Sequence, residues 1–452
     1  MHPGPGQAGT RPVIGAIHEA LAAVPQAADA RLCVAFSGGL DSSVMLHALA
    51  GMVPGERLRA VHVHHGLHAD ASDWERHCAQ LCATLGVPYA CCHVQVAAAG
   101  EGLEAAAREA RYAALFAGLA HDELLLTAHH RDDQAETLLL NLMRGSGPAG
   151  LAGIAAAGSG QHPRLLRPLL ALPRGELLGY ALAAGLEWIE DPANADPRFD
   201  RNFLRHQLLP LLASRWPASG GALARSAGLC AEAAALLDEL ADADARRVVR
   251  AGRVVLEPFT RLTEPRQRNL LRRLARLRTA SAPPERRLRA GLAQLLEAGP
   301  DRQPLLAWEG GEIRRFRGHL YVQKPLSAPV AGAASLAVRA GASLDSEGPG
   351  GRISLYRSRS GGLDPGRLGA VLTLRYRQGG ECLRPAGGSG HRALKKLLQE
   401  AGIVPWMRAH IPLLYAGERL VAVADLWIAH EAAAAPGAAG LRLRWDRHPP
   451  CR

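Results

Sequence analysis

RLCVAFSGGLDSSVML, residues 31–46, decides how this chain is read. Leu32 to Phe36 is a short apolar run of the branched and aromatic kind that fills a buried strand. Ser37, Gly38 and Gly39 follow at once. Two glycines let a backbone turn tightly and bring its N–H groups against an anion with no Cβ in the way. Asp41, Ser42 and Ser43 then supply N-cap chemistry, and Val44 to Leu49 begins a helix. Strand, glycine turn and helix N-terminus together favour a phosphate, because the orphan N–H groups and the helix dipole both attract negative charge. A Walker loop is excluded: it needs GxxxxGK[ST], and the first lysine of the chain is Lys324.

Outward from this stretch, Leu58 to His65 alternates as a second strand, Tyr89 to Val96 reads as a third and Leu124 to Thr127 as a fourth. Helices are expected over Asp73–Leu85 and Glu101–Leu119, the latter with Glu104 and Arg108 paired at i,i+4. Short apolar strands alternating with helices predict an α/β fold with a parallel, doubly wound sheet. In such sheets ligands bind beyond the carboxyl ends of the strands. The 37–43 loop, His62–His68 and His129–Asp133 all fall at those ends, which predicts one active site. Gly145–Gly150 fits the dinucleotide pattern GxGxxG, but it follows an expected helix (Glu136–Arg144) rather than a strand, and that reading fails on context.

At 452 residues the chain suggests two to four domains of roughly 100–200 residues each. With 48% apolar and 21% charged residues it has an ordinary globular composition. No apolar run approaches the ~18 residues of a membrane span. MHPGPGQAGTRP at the start lacks a signal pattern and reads as a floppy tail, so a cytoplasmic protein is expected. The eight cysteines (33, 78, 82, 91, 92, 230, 382, 451) form no C-x-x-C pair. Cys78, Cys82, Cys91 and Cys92 with His62, His64, His65 and His68 could suggest a metal cluster, but buried thiols are expected instead. The net charge is +11, of which residues 240–320, with 18 Arg against 9 Asp or Glu, carry +9. A basic stripe suits a polyanion such as nucleic acid, although arginine is favoured along the whole chain: 50 of its 53 basic residues are Arg.

The loop SGGLDSS resembles the PP-loop of the N-type ATP pyrophosphatases, which split ATP into AMP and pyrophosphate. Further stretches narrow the likeness. HVHHGLH (62–68), LEAAAREARYAAL (103–115), TAHHRDDQAETLLLNLMRGSGPAGLAGI (127–154), RPLL (167–170) and EDPANADPRFDRNFLR (190–205) resemble, in this order, the tRNA(Ile)-lysidine synthase family. So does a C-terminal stretch running from LTLRYRQGGECLRPAGG to IPLLY. The likeness covers most of residues 31–215 and roughly 370–430. It departs at His68, where Arg is common, and at Ala193, where Ser is usual before Asn194; neither position is assigned to chemistry.

The resemblance implies a catalytic PP-loop domain over 31–215, preceded by a flexible tail and first helix (1–30). A basic, mainly helical substrate-binding domain follows (216–323), then a linker or loosely ordered sheet (324–368) and a small α+β tRNA-binding domain (369–445). It implies ATP as substrate, Mg²⁺, free L-lysine, and the tRNA(Ile) with a CAU anticodon as partners. The expected reaction makes lysidine from an adenylated cytidine at the first anticodon position. A homodimer is left open. Ser37, Gly38, Gly39, Leu40, Asp41 and Ser42 are the expected ATP-binding residues.

Four residues are expected to be catalytic: Asp41, Asp133, His129 and Arg111. Asp41 holds Mg²⁺ or orients lysine, with a plain helix cap as the alternative. His129 and Asp133, four apart, share one helix face; the carboxylate suits lysine ammonium or Mg²⁺ and the imidazole suits a phosphate or a proton. Arg108 and Arg111 are candidates for a phosphate clamp. Arg201, Arg205, Lys395 and Lys396 are expected to contact tRNA. A PP-loop thiolase would share the loop but usually brings a C-x-x-C pair. A non-catalytic arginine-rich RNA binder would leave SGGLDS without purpose.

Overall fold

The structure, a computed structural model, describes residues 10–451 except 67, 69, 97–102, 159–161, 280, 300–301, 329–333 and 346–349, and not the side chains of 103–105. Most of the expected N-terminal tail and the expected Glu104–Arg108 pair therefore lie outside the described residues. The chain divides into two compact units, Met1–Leu236 and Leu237–Arg452.

In the first unit, α1 (Arg11–Ala22) precedes β1 (Arg31–Ala35), and α2 (Leu40–Met52) follows the glycine turn. Then come β2 (Leu58–His64), α3 (Ala71–Leu85), β3 (Tyr89–His93), α4 (Leu103–Ala117), β4 (Glu123–Leu126) and α5 (Arg131–Met143). The two-residue β5 (Leu165–Leu166) and α6 (Arg174–Ala183) complete the sheet layer. The strand order is β3-β2-β1-β4-β5 and every pairing is parallel. β1 shows why its sequence is apolar from Leu32 onward. Leu32 and Val34 face a core with α1, α2 and α6, while Cys33 faces a second core with Leu115 and Leu119. Each fully buried aliphatic side chain there contributes roughly 1.5–3 kcal/mol. Because β2 and β4 flank β1 on opposite sides, the crevice for a ligand opens between the carboxyl ends of β1 and β4.

Two local readings change. Asp41, Ser42 and Ser43 do not cap α2; Gly39 is the N-cap, with no side-chain cap bond, and the three lie in the first turn. The helix expected from Glu136 starts at Arg131, because His130 caps it.

The division between the units falls within α7 (Ser219–Val248). The second unit carries β6 (Val249–Arg250), β7 (Arg253–Val255), α8 (Glu264–Thr279), α9 (Glu285–Glu297), β8 (Leu305–Trp308), β9 (Gly311–Phe316) and β10 (His319–Gln323). Several of its arginines are paired with carboxylates of α7. Arg273 reaches Asp238 and Asp242 at 2.9 Å each, and Arg276 and Arg266 bind Asp238 and Asp244. Arg286 and Arg287 on α9 stay exposed. Residues 324–368, expected as a linker or loosely ordered sheet, supply β11 (Ala334–Ala337), β12 (Ser343–Asp345) and β13 (Arg352–Ser358). β14 (Val371–Arg375) pairs with β11, and β13 pairs over seven residues with the last strand, Gly440–Asp446.

Candidate active site at the sheet's switch point

The glycine turn after β1 is held by its own serines. Ser42 Oγ accepts the Ser37 N–H at 3.3 Å, donates to the Gly39 carbonyl at 3.0 Å and lies 3.1 Å from Ser37 Oγ. Ser43 Oγ donates to the Gly38 carbonyl. Gly38 has φ +78°, and a Cβ there would stand 2.5 Å from Ile189 Cδ1 and 2.8 Å from Cys78 Sγ. Glycine is thus required twice over, by backbone and by space. Ile189 in turn donates its N–H to the Gly38 carbonyl at 2.9 Å. With no side chain capping α2, its first N–H groups keep their capacity for an anion.

Across the crevice, β4 leads into Thr127–His130 and α5. His130 and Asp133 form a capping box: His130 Nδ1 accepts from the Asp132 N–H at 3.2 Å, and Asp133 Oδ2 accepts from the His130 N–H at 3.0 Å. The other face of the His130 ring turns to the glycine loop. Its Nε2 is 3.5 Å from Asp41 Oδ2 and 3.5 Å from Asp133 Oδ2. One buried imidazole therefore joins the two expected carboxylates across the switch point. Burial opposes its charge, but the hydrogen bond to Asp41 and the charges of Asp133 and Asp41 prevail and raise its pKa. Burial also works against ionised Asp133, yet His130, the His130 N–H, His129 and Arg205 hold its pKa below the ordinary value. Asp41 Oδ1 is buried without a hydrogen-bond partner, with Arg174 Nε 3.9 Å away.

A profile described as "PP-loop domain" matches residues 15–212, "TilS substrate binding domain" matches 255–321 and "TilS substrate C-terminal domain" matches 372–445. A tRNA(Ile)-lysidine synthase of Alkalilimnicola ehrlichii is 45% identical over 431 residues, covering 92% of this chain and 94% of that one. The chain belongs to the tRNA(Ile)-lysidine synthase family. Synthases of that name from Methylococcus capsulatus and Escherichia coli O157:H7 are 43% and 42% identical, over 91% and 92% of this chain and 95% and 97% of theirs. As a member of the family it is an ATP-binding ligase of the PP-loop type.

In this lysidine synthase family chain, the remaining expected residues divide by position. His129 bonds Thr127 Oγ1 through Nδ1 at 2.9 Å; burial, with the charges of Arg167, Arg108 and Arg201 against that of Asp133, takes its pKa down to about 3. Arg111 Nε donates to His65 Nε2 at 3.3 Å, and burial plus that guanidinium lowers His65 to about 4. Arg108 lies over the Tyr112 ring at 5.1 Å. Arg205, expected on tRNA, turns inward: it donates to Glu136 at 2.7 and 3.1 Å and to Asp133 at 3.1 Å. Arg201 donates to Thr137 Oγ1 at 3.0 Å. Lys395 and Lys396 stand exposed on α10 (Leu394–Glu400), opposite the buried Leu394, Leu397 and Leu398. Three residues of this constellation escape the sequence reading: His130, Glu136 and Arg174. The first two have a signal, since a His three residues before an Asp at a helix start fits a capping box and Glu136 is a further i+3 step.

Proposed function

We propose that the protein joins free L-lysine to C2 of the cytidine at the first anticodon position of the tRNA(Ile) with a CAU anticodon, turning ATP into AMP and pyrophosphate. Cytidine O2 attacks the α-phosphorus of ATP; that P–O bond forms as the bond to pyrophosphate breaks. The free-base ε-amine of lysine then attacks C2. The C–N bond forms, the C2–O2 bond breaks, AMP leaves with O2, and a proton leaves the nitrogen. Lysidine pairs with A rather than G, so the tRNA reads AUA and its amino-acid identity changes from Met to Ile. A tRNA substrate places the protein in the cytoplasm; among the described residues no helix is long and apolar enough to cross a membrane.

The observation that carries this reading is the Asp41–His130–Asp133 bridge beside an uncapped glycine loop at the switch point. Ser37 to Ser42 receive the triphosphate, where negative charge must be balanced as pyrophosphate departs. The unpartnered Asp41 oxygen fits a hard cation that takes oxygen ligands. Asp133 fits less well, because both its oxygens accept hydrogen bonds. Asp41 would hold Mg²⁺ together with nucleotide oxygens, and the ion would supply charge neutralisation there. A His129 pKa near 3 makes it a poor proton acceptor at neutral pH, so it acts as a neutral hydrogen-bonding group. Arg111 would take a phosphate, while Arg201, Arg108 and Arg167, whose charges all act on His129, would attract the RNA backbone. Arg205 holds Asp133 in place. Lys395 and Lys396 contact tRNA phosphates.

Incubation with ATP, labelled lysine and a transcript of that tRNA tests the proposal. Label is expected in the RNA, one AMP and one pyrophosphate per lysine, and none when the target cytidine is replaced by uridine. Pyrophosphate release that follows a sulfur donor and leaves the RNA unlabelled by lysine would make the protein a thiolase.

A further inference from the structure

A second set of donors gathers at the same edge of the sheet, two strands from the glycine loop. In the β2–β3 register His64 stands opposite His93, so the two imidazoles leave neighbouring parallel strands on one face. Their ring centroids are 4.7 Å apart. Glu75, on α3, lies against this face, its Oε2 3.6 Å from His93 Nε2. One ligand atom from each of the three lies within 4.8 Å of the other two, and among the described residues no other trio of His, Cys, Asp or Glu does this. Behind it, the Tyr89 hydroxyl donates to the Glu75 main-chain carbonyl at 3.4 Å, and burial together with the nearby Glu75 charge pushes the Cys91 thiol up to about 11.

A half-exposed ion pair would need only one histidine beside Glu75. The second imidazole, brought alongside the first by strand register, makes a ligand set instead. We propose that His64, His93 and Glu75 bind a divalent transition-metal ion of the Zn²⁺ class, with water in the fourth position. Tetrahedral Zn²⁺ with bonds of about 2.0–2.2 Å places its ligand atoms about 3.3 Å apart. Atoms now within 4.8 Å of one another would reach that spacing by side-chain rotation, for which the 64% exposure of the His93 side chain leaves room. Two imidazoles with one carboxylate select a borderline ion over Mg²⁺ or Ca²⁺. β3 is the edge strand, and His64 and His93 are the last residues of β2 and β3. The ion ties the open edge of the sheet to its neighbour and to α3.

The full-length protein, stripped with chelator and returned to metal-free buffer, is titrated with Zn²⁺ calorimetrically and melted with and without it. One ion per chain and a rise in Tm are expected. His93→Ala and Glu75→Gln change exposed or half-exposed groups and should keep the metal-free Tm while weakening Zn²⁺ by at least ~10-fold and removing the rise. His121→Ala, on an exposed histidine elsewhere, should behave as the parent. Parent-like affinity in both His93→Ala and Glu75→Gln would overturn the proposal. So would a Co²⁺-loaded protein whose spectrum shows sulfur-to-metal charge transfer, because the ion would then sit on a thiolate.

Discussion

Asp41 and Asp133 meet the same imidazole but differ in what else they do. Asp41 leaves one oxygen without a hydrogen bond, whereas Asp133 closes the α5 capping box and receives Arg205. Asp41→Asn should therefore cost less stability than Asp133→Asn while lowering pyrophosphate release by at least ~100-fold. Asp133→Asn should also cost on the order of 3 kcal/mol, since it leaves Arg205 partly unpaired next to buried Glu136. Urea unfolding beside a pyrophosphate assay separates the two, and equal stability losses would refute the distinction. His129 makes a pH prediction. Its pKa, near 6.5 unfolded, lies at about 3 in the folded protein, so protonation favours the unfolded chain. The stability from keeping it neutral is complete above pH ~6.5 and is lost as pH falls from there towards 3, by up to roughly 1.4 kcal/mol per pH unit. His129→Asn should flatten the fall in unfolding free energy between pH 7 and 4; parallel curves would mean that water reaches the ring.

Two elements carry their own tests. At the β1–α2 junction, Gly38→Ala combines a left-handed backbone with a Cβ driven into Ile189 and Cys78. A stability loss of at least ~1–2 kcal/mol and a raised KM for ATP are expected, from melts and initial rates. An unchanged KM would detach the loop from the nucleotide. On α10, buried Leu394, Leu397 and Leu398 leave Lys395 and Lys396 on the solvent side. The chain uses Arg at 50 of 53 basic positions, and the proposed tRNA contact of the adjacent lysines would suit a compact ammonium better than a planar fork. Lys395→Arg/Lys396→Arg should lose tRNA affinity in a filter-binding assay although charge is kept. If it binds as the parent does while the double Ala variant does not, charge alone suffices.

Across the whole molecule, net charge is a poor guide to which arginines meet RNA. Arg273 lies between Asp238 and Asp242, whereas Arg286 and Arg287 are exposed, Arg287 with one N–H on the Ala307 carbonyl at 3.1 Å. Arg286→Gln/Arg287→Gln should make the dependence of log K on log salt shallower by about 0.9 for each duplex phosphate that is no longer neutralised, with little change in Tm. Arg273→Gln should lower Tm and leave the slope alone. The reverse pattern in salt titrations would move the RNA surface to α7 and α8.

The first sheet, and the placement of the candidate motifs at its strand ends, were legible because their signals are short-range. Strand, glycine turn and helix start all fit within residues 31–46, and each depends on neighbours a few positions away. Alternating strands and helices then put the three motifs at one sheet edge, since a parallel sheet aligns its carboxyl ends. Tertiary structure alone decided which side chains answer one another. Arg205 meets Asp133 across 72 residues of chain and Glu136 across 69. Arg266, Arg273 and Arg276 pair with carboxylates of α7, and His64 faces His93 only through strand register. Residue spacing cannot express such pairings: a charge left buried and alone is costly, so partners are chosen by where burial occurs, and burial is settled by contacts between distant parts of the chain.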